Sequence, residues 1–167
     1  PDVPLWAIWA IQQYVKDAGK EEGYQRYGKL ASDIVDYIIK GGHPNLRLDD
    51  NGLLYSNGRD RAVTWMNSTA NGRPVVPRSG YIVEFNALWY NALKFCALMA
   101  AEKGDAKGAE KLEALAQKTK ASFVETFVNE YGYLLDYVDG NMMDWSVRPN
   151  MIFAESKIGR ASCRERV

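Results

Sequence analysis

Ile82-Val83-Glu84-Phe85-Asn86-Ala87-Leu88-Trp89-Tyr90-Asn91-Ala92-Leu93-Lys94-Phe95-Cys96-Ala97-Leu98-Met99-Ala100-Ala101 decides the fold class. On a helix drawn through it, Phe85, Leu88, Trp89, Ala92, Leu93, Phe95, Cys96 and Met99 leave almost no wet face. Such a helix has to be covered on several sides. Past the turn Lys103-Gly104-Asp105, the stretch Lys107 to Val128 is amphipathic instead. Leu112, Leu115, Thr119, Phe123 and Phe127 take one side of it, and Lys111, Glu113, Lys118 and Lys120 the other.

The same succession stands earlier in the chain. Leu5 to Val15 is apolar nearly all round, with Pro4 in its first turn behind the cap candidate Asp2. Tyr24 to Lys40 then sets Tyr27, Leu30, Ala31, Ile34 and Ile38 against Arg26, Lys29, Asp33 and Asp36, and Gly41-Gly42 stops it. The order is buried helix, half-wet helix, long loop, repeated. A double ring of helices produces that order, its inner helices covered on both sides and its outer ones on one. Corresponding helices start about 80 residues apart, which is too far for a small solenoid with a repeat of roughly 20–50 residues. A plain helical bundle is the competing reading.

Composition narrows the function. The chain has 167 residues, 47% hydrophobic and 25% charged, enough for a sizeable core. Twenty-one basic residues balance twenty-one acidic ones, which argues against nucleic acid or an anionic membrane as main partner. Two cysteines and one histidine exclude a disulfide framework and leave little for a metal site. Cys96 reads as a buried, inert thiol, and His43 as a loop residue with no catalytic task. No apolar run reaches the roughly 20 residues of a membrane span. The five Trp and ten Tyr point to a ligand that stacks on rings.

Two long loops carry the polar chemistry. Residues 42–80 hold two strand-like pieces, Leu46 to Leu48 and Leu53 to Tyr55, around the hairpin turn Asp49-Asp50-Asn51-Gly52. The rest of that loop carries Arg59, Asp60, Arg61, Trp65, Asn67, Arg73 and Arg78. The second loop, Asn129 to Pro149, carries Tyr131, Tyr133, Asp136, Tyr137, Asp139, Asp144, Trp145 and Arg148. Interleaved aromatic, acid, amide and Arg side chains suit a sugar, whose C–H faces pack on rings and whose hydroxyls need acceptors and donors. Ordinary polar loop chemistry is the alternative.

Thr64-Trp65-Met66-Asn67, Pro77-Arg78-Ser79-Gly80 and Val83 to Leu93 resemble the C-terminal glucosidase domain of glycogen debranching enzymes. So do Pro4-Leu5-Trp6 with Trp9-Ala10, the turn Asp49 to Leu54, and Asp144-Trp145-Ser146-Val147-Arg148-Pro149-Asn150. The resemblance runs from Pro1 to about Ala154. It implies an all-α fold, a partial (α/α)6 toroid with long functional loops containing short β-hairpins. It also implies a cytoplasmic amylo-α-1,6-glucosidase acting on glycogen or another branched α-glucan by an inverting mechanism, with no cofactor and no metal.

Inversion needs two carboxyl groups about 6.5–9.5 Å apart, one to protonate the leaving oxygen and one to activate water. The resemblance places the acid directly after Thr-Trp-Met, where the family has Asp and this chain has Asn67. An amide has no acidic proton. Three readings follow: another carboxyl serves, Glu84 or Asp144; the protein binds glycans without cleaving them; or this branch places its acid elsewhere. The base is implied to be a Glu further downstream. Trp65, Arg78, Asn86, Trp89, Asp136, Asp139 and Arg148 are expected to stack on a ring or bind its hydroxyls, although Trp89 reads equally as core. Glu84, in so apolar a helix, is explained as well by a buried pair with Arg78.

The ends read as cut. Residues 1–157 are expected to be an internal fragment of the glucosidase domain. Residues 158–167, Ile158 to Val167, resemble the translation of a sequencing adapter and are expected to be a non-native tail. A partial ring would leave Trp6, Trp9, Phe85 and Trp89 partly exposed.

Overall fold

Pro4 in the first turn and a left-handed Gly19 beyond the last residue bound helix α1, Val3–Ala18. Helix α2, Lys20–Ile39, follows after that single glycine. The two helices approach closely: a Cβ on Gly23 would lie 2.5 Å from Val15 Cγ2. Helix α3 spans Val83–Glu102 and α4 spans Ala106–Phe127, where the Asp105 side chain caps the Gly108 N–H at 2.9 Å. Helix α5 is Asn150–Ile158. The computed structural model describes residues 1–159, and the rest of the proposed tail, residues 160–167, lies outside them. Ile158 is buried at the end of α5 and Gly159 follows it.

Burial separates α3 from α4 as their periodicity requires, but α1 buries no larger share of its residues than α2, which corrects the expectation that α1 is covered nearly all round. Fourteen of the twenty residues of α3 are buried, against four of the twenty-two in α4. Phe85 and Trp89 are fully buried, which corrects the expectation that a partial ring would expose them. Trp6 and Trp9 are half-buried, since α1 buries only the stripe Leu5, Ile8, Ile11 and Val15.

Contacts fix the helix directions. Lys94 meets Glu113 at 2.7 Å while Tyr90 lies under Lys120, so α3 and α4 are antiparallel. Lys20 meets Glu102 and Gly28 abuts Met99, so α2 also opposes α3. Trp6 packs edge-on against Phe153 at 4.8 Å, and Trp9 lies under Lys157, so α1 and α5 run the same way. Val15 abuts Gly23 and Tyr14 packs on Tyr27 at 5.2 Å, so α1 opposes α2; helices α1, α3 and α5 therefore share a direction, and α2 and α4 run against it.

The chain also forms β1 Arg47–Leu48, β2 Leu54–Ser56, β3 Thr69–Ala70, β4 Arg73–Pro74, β5 Gly80–Ile82, β6 Tyr137–Asp139 and β7 Met142–Met143. Strands β3 and β4 make a separate hairpin. The other five join in one antiparallel sheet of order β1-β2-β5-β6-β7. An all-α fold with isolated hairpins is corrected to this extent. The helices predominate, but the two long loops are stitched into a common sheet by β5, which runs directly into α3. Asn86, in the first turns of α3, ties the layers together. Its amide accepts from Leu54 N at 2.7 Å and donates to Leu54 O and Ile82 O, each at 3.1 Å. Among the described residues no helix is long and apolar enough to cross a membrane.

Gly80 sits in β5 at φ +90°, where a Cβ would lie 2.2 Å from the Val138 carbonyl oxygen of β6. Gly72 also has a positive φ, +76°, but open space around it. Gly80→Ala should therefore lower the unfolding free energy by about 3 kcal/mol, from strain plus forced separation of the strands. Gly72→Ala should cost only about 1 kcal/mol. Urea denaturation compares them, and equal midpoints would contradict the close approach.

Candidate functional site

The segment entering β5 carries Arg78, and the first turn of α3 carries Glu84. Asp136 immediately precedes β6, and its carbonyl accepts from Val83 N at 3.1 Å, which seats it over the start of α3. After β7 the chain returns alongside: Asp136 N donates to Asp144 O at 2.9 Å and Asp144 N to Tyr137 O at 3.0 Å. Arg148 and Asn150 follow at the start of α5. Five charged side chains and one amide thus converge where α3 and α5 begin.

Arg78 is at the centre. Its Nη1 and Nη2 fork onto the two oxygens of Glu84, the second contact at 2.6 Å. Its Nε donates to Asp136 Oδ2 at 2.7 Å and its Nη2 to Asp136 Oδ1 at 3.0 Å. Arg148 Nη1 donates to Asp136 Oδ2 at 2.7 Å and to Asp144 Oδ2 at 2.9 Å. Arg78, Glu84, Asp136 and Asn150 are buried, whereas the side chains of Arg148 and Asp144 keep 18% and 15% of their surface open. The buried pair that the apolar setting of Glu84 suggests is present. Trp65 completes the arrangement, 49% exposed, its indole N–H donating to Asn150 Oδ1 at 2.9 Å.

The sequence matches the amylo-alpha-1,6-glucosidase family over residues 1–161. The chain belongs to that family. Comparison with curated proteins and with solved structures gives no match.

The resemblance to the glucosidase domain of debranching enzymes thus extends over nearly the whole chain, and the three positions considered for the amylo-α-1,6-glucosidase acid stand in unlike surroundings. Asn67 is exposed, one residue beyond Met66, and its N–H turns back to Trp65 O at 3.0 Å. Burial lifts the Glu84 carboxyl above the ordinary glutamate value, against the pull of Arg78. Both its oxygens are taken by that guanidinium, and it is closed to solvent. Burial alone would raise the Asp144 carboxyl too, but Ser146 and Arg148 hold it below the ordinary aspartate value. Its Oδ1 accepts from Ser146 N at 2.7 Å. Burial would likewise weaken the Arg78 charge, but Glu84 and Asp136 keep the guanidinium protonated.

The remaining expected sugar contacts divide. Arg148 and Trp65 are open on one side and joined through the network. Asp139 stands apart, its Oδ1 accepting from Tyr55 OH at 3.0 Å and its Oδ2 from Arg59 Nε at 2.9 Å and Nη2 at 2.8 Å. Arg78 and Asp136 are sealed and act on the open residues from behind. Asn86 is occupied by the main chain of β2 and β5, and Trp89 lies wholly in the core, so neither presents a surface. Sequence reasoning gave no role to Asn150 or Tyr55, and counted Arg59 only among the polar residues of the first long loop. Asn150 opens α5 but does not cap it, since Pro149 holds that position, and its partners, at positions 65 and 136, are not visible along the chain.

Arg78→Leu should destabilise the protein by about 3–5 kcal/mol, because it leaves the buried Glu84 carboxyl without its partner and Asp136 with only Arg148 and Asn150. Replacing Glu84 by Leu as well should recover part of the loss in the same urea titration. Asp139 adds a pH test. Burial opposes its ionisation, but Arg59 and Tyr55 hold its pKa below the ordinary value. A depressed carboxylate stabilises above its unfolded pKa, about 3.9, and loses that contribution as pH falls through the folded value. The difference in melting temperature between the unaltered chain and Asp139→Asn should be constant from pH 7 to about pH 5 and shrink below about pH 4. A difference that grows on acidification would contradict it.

Proposed function

We propose that this chain carries the branch-recognition surface of a debranching-type amylo-α-1,6-glucosidase. Its substrate would be a branched α-glucan such as glycogen limit dextrin, and the complete domain an (α/α)6 toroid. One observation carries the reading. A half-exposed tryptophan, an ionised carboxylate and a guanidinium are held in one hydrogen-bonded network at the end where α3 and α5 begin. A ring face beside a fixed acceptor and a fixed donor is the set a glucose residue needs. The alternating directions of α1 to α5 support the double ring, with α1, α3 and α5 inside. The sugar contacts fall to Trp65, Asp144 and Arg148, with Asp139 on a neighbouring surface, while Arg78 and Asp136 fix their positions.

Proton delivery is a separate matter. A general acid must hold a proton near working pH and reach the leaving oxygen. Asn67 has none, Asp144 is held ionised, and Glu84 is locked behind Arg78. Residues 1–159 thus support recognition, and this chain alone is expected to bind without cleaving. The amide at Asn67 also favours a second reading, a non-catalytic glycan-binding protein on the same scaffold.

A branched maltooligosaccharide bearing one α-1,6-linked glucose should bind this chain more tightly than its linear counterpart in titration calorimetry. Trp65→Ala should weaken that binding at least about tenfold, the loss of one stacked ring. Equal affinity for both sugars would defeat branch recognition. In the intact enzyme, glucose release from limit dextrin that appears only with Asn67→Asp would favour the second reading. Release by the unaltered enzyme would place the acid on another carboxyl.

A further inference from the structure

Asn150 is the first residue of α5, fully buried, and its side chain serves two partners of opposite character. Its amide N–H donates to Asp136 Oδ1 at 3.0 Å, and its carbonyl oxygen accepts from Trp65 Nε1 at 2.9 Å. The same nitrogen lies 3.4 Å from Met66 Sδ. An indole can only donate and a carboxylate can only accept, so the amide fits in one orientation and cannot be flipped. Asp136 is itself clamped by Arg78 and Arg148. Among the described residues, the side-chain bonds that tie positions 64–67 to the rest of the protein both end on Asn150.

An exposed tryptophan samples several rotamers and loses that freedom when a ligand stacks on it. Trp65 is not free in this way, because a buried bond fixes one edge of its ring while the face stays open. We propose that Asn150 is a positioning residue that locks the Trp65 ring in the attitude that receives a glucose unit of a branched α-glucan. The same lock joins the ring to the Asp136–Arg148–Asp144 chain of charges, so ring and polar contacts move as one body. This role rests on the glucan-recognition reading above and adds to it a residue that touches no sugar.

The test uses Asn150→Ala, Trp65→Phe and the double variant of this chain, with two readouts. Without sugar, Asn150→Ala should increase acrylamide quenching of tryptophan fluorescence, and the increase should vanish in the Trp65→Phe background. With the branched maltooligosaccharide, each single change should weaken binding about tenfold, as loss of a supporting hydrogen bond does elsewhere. The double variant should be no weaker than the singles. Trp65→Phe keeps an aromatic ring at a half-exposed position, so it reports even if Asn150→Ala folds poorly. Affinity unchanged in Trp65→Phe, quenching unchanged in Asn150→Ala, or an Asn150→Ala loss that persists in full without the indole would each overturn the positioning role. Failure of the unaltered chain to bind the sugar would defeat the recognition reading, and with it the ligand named here. Binding that ignores both substitutions defeats the positioning role alone.

Discussion

A buried guanidinium with no access to water has to find acceptors within the protein, and Arg78 finds two carboxylates on different parts of the chain. Glu84 belongs to the helical layer and Asp136 to the second long loop, immediately before strand β6. One planar side chain therefore joins helix, sheet and loop. Desolvation makes such a cluster a poor source of stability, since well-packed apolar residues of similar size often do as well. Its value lies in geometry. The fork of Arg78 fits only if the start of α3, the segment entering β5 and the start of β6 keep one relative arrangement.

The network divides into a sealed half and an open half. Arg78, Glu84, Asp136 and Asn150 are closed to solvent. Arg148 and Trp65 each carry a bond inward and keep one side outward, and Asp144 is held in turn by Arg148 and the Ser146 N–H. On the proposed reading, Arg148 and Trp65 take their orientation from groups that a ligand would not touch. The same division separates the carboxyl groups of Glu84 and Asp144, each paired with a different guanidinium. Glu84 is lifted by burial, whereas Asp144, nearer water and capped by Ser146, stays ionised.

Much of the fold is legible in the sequence because helices advertise themselves through neighbours three and four residues away. The contrast between α3 and α4, the turn at Asp49 to Gly52, and a partner for Glu84 can all be read locally. The five-stranded sheet cannot. Its strands are two or three residues long, too short for alternation to register, and Tyr81 pairs with Val138 across the whole of α3 and α4. Trp65 and Trp89 illustrate the limit for the site. Both are tryptophans in matching motifs, yet one is open and one is core, and only packing against other elements separates them. Asn150 escaped notice for the same reason: its meaning resides in Trp65 and Asp136, brought beside it by the fold.

The shared direction of α1, α3 and α5 has an electrical consequence. Each helix carries a partial positive charge at its start and a negative one at its end. The ends are matched by lysines: Lys16 and Lys157 in the last turns of α1 and α5, and Lys103 at the end of α3. The starts of α3 and α5 face the network, where three carboxyl groups meet two guanidiniums. Aligned dipoles of that sign oppose the positive charge that develops on a sugar ring as its glycosidic bond breaks. On the proposed reading, the carboxylate excess offsets that field and makes this end of the molecule tolerant of a cationic sugar.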